Sequence, residues 1–167
     1  TWPTRPLKAI IPFTAGSTVD IVGRLVLDPI AAQIGQPIVI ENRGGAGGTI
    51  GSGVVAKAEP DGYTILINAS AHSAAPAAYP SAPYDTARDF AAVASFGSVP
   101  NVMVISPQKG IQTVQELAAA AMKSGAMTYA SAGVGSATHW AAERFRLTAC
   151  FKGTHVPFRG GPDALTE

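Results

Sequence analysis

The sequence predicts an α/β fold built on parallel strands, and three observations carry that reading. Short apolar runs alternate with helical spacings from the first residues, giving a β-α-β-α-β order complete by Asn68, the pattern of a parallel sheet with right-handed crossovers. Apolar residues make up 47% of the 167 and charged residues 14%; an average domain carries roughly 25% charged residues, so disorder is excluded and a buried core is expected. Glycine (18) and proline (13) fall between the runs, where they punctuate elements.

Residues 7–13 form an apolar run between Pro6 and a small-residue loop, and read as a buried strand. Residues 19–34 place Val22, Val26, Ile30 and Ile34 at helical spacing, with Leu25 alongside and Gly35 as the stop. Pro29 inside this helix predicts a kink, because an unrelieved interior proline costs about 3 kcal/mol. Residues 38–41 are the second strand. The glycine-rich stretch 43–53 opens a helix ending near Lys57, Pro60-Asp61-Gly62 is a turn, and residues 63–68 are the third strand. A Pro/Ala/Ser-rich connection (70–86) leads to two apolar runs, 92–98 and 102–105. Pro100-Asn101 between them sets a boundary: a first α/β lobe over 1–103, and a second begun at 104–167 and expected to be incomplete. The second holds a helix (114–124), a strand (127–130), a loop (131–135), a helix (136–147), a strand (153–157) and a Gly160-Gly161 turn.

Composition removes several function classes. Twelve basic against eleven acidic side chains leave a net charge of +1, with no basic surplus to neutralise phosphates. No stretch of 18 or more apolar residues occurs, so no membrane span is expected. Cys150 is alone, and His72, His139 and His155 lie too far apart for the close spacings of metal motifs. Thr1-Trp2-Pro3 is not a signal peptide, so the expectation is a mature form in which a signal is absent or removed.

Two loops carry the candidate chemistry. Pro12, Phe13, Thr14, Ala15, Gly16 and Ser17 join the first strand's C-terminal end to a helix start, the place where open α/β sheets hold ligands. Ser17 and Asp20 have capping-box spacing, and free N–H groups at a helix start favour an anion. The second loop has the same grammar: Ser131, Ala132, Gly133, Val134, Gly135, Ser136, Thr138 and His139. Facing one another across a cleft, the two could hold a carboxylate through backbone N–H groups and hydroxyls without an arginine. Two structural alternatives stay open: that each loop is only a capped turn, and that the glycine-rich stretch is only a turn packing one lobe. Gly51-Ser52-Gly53-Val54-Val55-Ala56 lies inside a helix, not after a strand, so it fails as a dinucleotide motif. A serine hydrolase using Ser136 (or Ser131) with His139 is the rival from another class, although no G-x-S-x-G elbow or third partner is visible.

The ordered landmarks then resemble a known family. They include Ile11-Pro12-Phe13 with Gly16 and Asp20, Gly35-Gln36-Pro37, Glu41-Asn42-Arg43, Gly45-Ala46-Gly47-Gly48 and Pro60-Asp61-Gly62-Tyr63. Tyr79-Pro80, Pro100-Asn101-Val102, Tyr129-Ala130-Ser131-Ala132-Gly133, Thr138-His139 and His155 through Gly160 follow in order. The chain resembles the periplasmic solute-binding receptors of tripartite tricarboxylate transport systems, the Bug or TctC-like proteins. The resemblance implies a periplasmic-binding-protein-like (Venus flytrap) fold of three-layer αβα lobes, with no catalysis and no cofactor. It implies capture of a small carboxylate (di- or tricarboxylate, acidic amino acid or aromatic acid) in the periplasm and delivery to an inner-membrane permease. The implied ligand-binding residues are Phe13, Thr14, Ala15, Gly16, Ser17, Ser131, Ala132, Gly133, Gly135, Ser136, Thr138 and His139, with Ser70 and Ala71 at a strand end on the cleft. The family's usual Gly-Gly pair is Gly16-Ser17 here, a strained choice if the second position takes a positive φ. Family members run to about twice this length, so a non-binding fragment that self-associates is the third alternative.

Overall fold

The structure, a computed structural model, describes residues 2–166. Its first sheet is parallel with strand order β2-β1-β3, built from β1 (Leu7–Ile11), β2 (Ile38–Asn42) and β3 (Thr64–Leu66). Crossover helices α1 (Thr18–Ile34) and α2 (Thr49–Ala56) connect them. In the ladder Ala9 lies between Ile40 and Ile65. The core forms here because β1 is covered on both sides: Ala9, Ile11, Leu27 and Ile67 are buried together, with Val19, Ile38, Ile40 and Ile65 packed around them.

The second sheet pairs β4 (Met127–Ser131) with β5 (Gly153–Pro157) in parallel. Helix α5 (Ala137–Thr148) crosses between them, α4 (Val114–Ser124) precedes them and α6 (Gly161–Thr166) follows. Thr113 and Glu116 close a full capping box on α4, which places its start by two reciprocal hydrogen bonds.

Departures from the sequence reading have local causes. The first strand ends at Ile11, not Phe13, because Pro12 has no N–H to give the ladder; the Asn42 side-chain N–H donates to the Phe13 carbonyl instead, at 3.0 Å. Pro29 lies inside α1, and the chain is helical on both sides of it. The 70–86 connection contains a helix, α3 (Ala71–Ala78): five alanines in eight residues outweigh Pro76. Gly160-Gly161 is less a turn than the start of α6, with Pro162 in its first turn.

The apolar runs 92–98 and 102–105 form no regular element, and Val93, Val102 and Val104 are 91%, 76% and 67% exposed. The chain's accessible surface is 10,365 Å², against roughly 7,700 Å² for a compact monomer of this mass.

Helix α1 supplies a direct test of the core. Leu27 is 3% exposed and Leu25 is 70% exposed. Leu27→Ala is expected to cost about 3 kcal/mol, lowering the Tm by roughly 6–12 °C. Leu25→Ala should leave the Tm within about 2 °C, and calorimetric melting of the two variants checks both outcomes.

Candidate functional site

The loop after β1 is held by its own hydrogen bonds. Ser17 caps α1 by accepting from the Asp20 N–H at 3.3 Å, and its N–H donates to the Thr14 carbonyl at 3.1 Å. The expected capping box is half made: Asp20 Oδ2 accepts from the Gly16 N–H at 2.9 Å, one residue before the cap. The positive φ therefore falls on Gly16 (78°), and Ser17 sits unstrained at −66°. Asp20 is buried, and burial alone would push its carboxyl up. Hydrogen bonds from Arg24, the Gly16 N–H and Asn42 outweigh that and hold it below the usual carboxylate range.

The loop after β4 repeats the arrangement with different chemistry. Ser136 accepts from the His139 N–H at 3.2 Å and donates its own N–H to the Gly133 carbonyl at 3.1 Å. The Gly135 N–H donates to His139 Nδ1 at 3.1 Å, so this ring nitrogen is an acceptor and the imidazole is neutral. The Ala132 N–H donates to the Thr138 hydroxyl at 3.0 Å. Ser131 Oγ lies 2.7 Å from His155 Nε2, and the His155 ring stacks between Tyr129 and His139. Burial lowers the pKa of both histidines, and the neighbouring His139 lowers that of His155 further.

The loops meet across a cavity of about 260 Å³. Of the sequence-predicted residues, Phe13, Ala132 and Gly133 line it. Thr14, Ala15, Gly16 and Ser17 shape the first loop behind Phe13, and Ser131, Gly135, Ser136, Thr138 and His139 shape the second. Two expectations need correction. The N–H groups of Gly16, Ser17, Gly133 and Gly135 already have partners within the protein, so they are not free for a ligand. Among the described residues, the N–H groups of Ala15, Thr18, Val19, Val134, Ala137 and Thr138 have no partner. Ser70 and Ala71 stand at the start of α3, outside the cavity wall, with Ala71 2% exposed.

The rest of the wall comes from Gly45 to Gly48, Tyr79, Val134 and Pro157 to Arg159, residues quoted as landmarks but given no role from sequence. The glycine-rich stretch is more than a packing turn. A Cβ on Gly47 would lie 2.2 Å from the Val134 carbonyl oxygen, so only glycine lets these segments touch. Tyr79 Oη donates to the same carbonyl at 2.7 Å. Thr14 Oγ1 is buried without a partner, close against Gly160.

A hydrolase cannot be assembled from these groups. Ser136 Oγ accepts from a backbone N–H and pairs with Thr138 Oγ1 at 3.0 Å, while His139 Nδ1 is occupied by Gly135. The two side chains are not joined as nucleophile and base. His155 does touch Ser131, but Ser131 is 3% exposed and bonded to Gly133.

Two parallel α/β sheets whose strand-to-helix loops meet at a small cavity are the architecture of a solute-binding protein. The TctC family model, described as the tripartite tricarboxylate transporter family receptor, matches residues 22–167, and the chain belongs to that family. A UPF0065 protein of Pseudomonas sp., from the tcbD-tcbE intergenic region, is 36% identical over 99% of this chain and 50% of its own length. Among solved structures, Rpa4515 of Rhodopseudomonas palustris with adipate is 32% identical with a TM-score of 0.94, covering 99% of this chain and 56% of that one. MatC of the same organism, with bound malate, is 32% identical with a TM-score of 0.90, covering 99% and 57%. The chain spans about half the length of the curated relatives it matches. The family and these neighbours are binding proteins, not enzymes.

The neutral His139 gives the second loop a pH signature. Its folded pKa lies below the unfolded value near 6.5, so the unfolded chain binds more protons. Stability should therefore fall as pH drops through the unfolded value near 6.5, and His72 and His155 act in the same direction. His139→Gln keeps an acceptor for Gly135 without a titrating group, and its urea midpoint should fall less steeply. Equal slopes would remove His139 from this effect.

Proposed function

We propose that the chain captures a small carboxylate in the periplasm for a permease of the tripartite tricarboxylate type. The candidate ligands are di- and tricarboxylates, acidic amino acids and aromatic acids. Residues 1–103 and 104–167 act as two lobes, and ligand binding favours their approach. One observation carries the reading: two loops built on the same hydrogen-bond plan, one at the C-terminal end of each sheet, face a common cavity. The unpartnered Val134 N–H on the wall suits a carboxylate oxygen, Phe13 supplies an apolar wall, and two structural neighbours carry adipate and malate.

The test is a thermal-shift and calorimetric panel of C4–C6 dicarboxylates, citrate, acidic amino acids and aromatic acids on this chain. A ligand at about 100 times its Kd adds about 2.7 kcal/mol, or roughly 5–10 °C in Tm for a chain of this size. Gly47→Ala places a methyl against the Val134 carbonyl and should weaken binding at least about tenfold while the far-UV spectrum is retained. A flat panel, or full affinity in Gly47→Ala, would overturn the reading of this cavity.

A second reading concerns self-association, and the exposed apolar stretch 93–105 favours it. The chain on its own should form concentration-dependent dimers or larger species. Sedimentation velocity should show them, and Val102→Lys with Val104→Lys should disperse them.

A further inference from the structure

We infer that Arg159 is the specificity-determining residue of the cavity, selecting ligands with two carboxylates over those with one. The inference rests on the carboxylate reading above and adds to it the second anchoring point. Arg159 is the one charged residue on the cavity wall. It follows Phe158, whose N–H donates to the Ser131 carbonyl at 3.0 Å and continues the β5 ladder. The Arg159 carbonyl packs at Gly44, 3.6 Å from where a Cβ there would stand. Its backbone is thus held between the end of β4 and the glycine-rich stretch at Gly44.

Its guanidinium is uncommitted. Arg5, Arg24, Arg43, Arg88 and Arg146 are each tied to a carboxylate. Among the described residues Arg159 has neither an ion pair nor a side-chain hydrogen bond, and no carboxylate lines the cavity with it. The chemistry of the remaining wall makes this matter. Backbone N–H groups can satisfy one carboxylate through dipoles, without a net countercharge. A second carboxylate entering the same small space loses water and needs a positive partner. A planar guanidinium offers two parallel N–H donors to it, which an ammonium does not.

The experiment compares matched acids by isothermal titration calorimetry at low ionic strength: succinate with butyrate, and adipate with hexanoate. The wild-type chain should bind each diacid at least about tenfold more tightly than its monoacid. Arg159→Gln should remove most of that ratio by weakening the diacid, leaving monoacid affinity within about twofold, and Arg159→Lys should restore part of it. Arg159 is exposed and unpaired, so its variants should melt with the wild type. Raising the salt should weaken diacid binding more than monoacid binding in the wild type. Monoacid and diacid binding that both survive Arg159→Gln with an unchanged ratio would overturn the assignment and leave the carboxylate reading standing. No binding of any acid by the wild type would overturn the carboxylate reading, and the assignment with it.

Discussion

The cleft depends on one hydrogen-bond constraint, met twice. At each sheet's C-terminal end, the N–H of the residue before the helix cap must find an acceptor when the chain turns from strand to helix. The acceptor is the side chain of the third helical residue: Asp20 takes the Gly16 N–H, and His139 takes the Gly135 N–H. A capping serine closes each loop from the other side. The arrangement closes both loops on the same plan and leaves the Thr18, Val19, Ala137 and Thr138 N–H groups without a partner among the described residues. The two acceptors differ in charge. The Asp20 carboxylate is paired with Arg24 and accepts a hydrogen bond from Asn42, whereas the imidazole carries no charge.

The element order was legible because periodicity and caps agree along most of the chain. Apolar spacing with Gly35 located α1 to within one residue of its start, and the strands at Ile38 and Gly153 lie where expected. Helix α3 was hidden because Pro76 and the serines of its surroundings resemble linker composition, while its support comes from burial of Ala71 and Ala75. The two loops were legible as anion-ready turns, since small residues and hydroxyls before a helix have few other uses. Which N–H groups remain free was not, because the competing acceptors, the Thr14 and Gly133 carbonyls and the side chains of Asp20 and His139, act only once the turn closes. The contributions of Gly47, Tyr79 and Arg159 were equally out of reach: they arise from contacts across tens of residues, which no local pattern encodes.

The same geometry separates binding from catalysis. Ser136, the serine that sequence pairs with a histidine, spends its oxygen on a helix cap. A nucleophile must have a base at its proton, and here the side-chain partner of the Ser136 hydroxyl is Thr138 Oγ1, not a histidine nitrogen. Ser131, with a histidine nitrogen at hydrogen-bond distance, is enclosed under its own loop. What the cavity wall offers is the Val134 N–H, which has no partner among the described residues, and one guanidinium. Donors of this kind supply no nucleophile.

The outer surface follows a different logic from the cleft. The stretch 90–106 contains no charged residue, yet most of its large apolar side chains face water. Its alternating valines suit a strand, but an extended segment becomes a strand only when another supplies its hydrogen bonds. Neither three-stranded β2-β1-β3 nor two-stranded β4-β5 does so. The accessible surface exceeds that of a compact monomer by roughly 2,600 Å², several times the roughly 800 Å² that one partner buries in a standard interface. The exposed area is thus large enough to determine how this chain behaves on its own, while the cleft, lined by buried and hydrogen-bonded loops, is organised without it. The uncovered stretch and the two capped loops are thus separate parts of the structure, and neither depends on the other for its conformation.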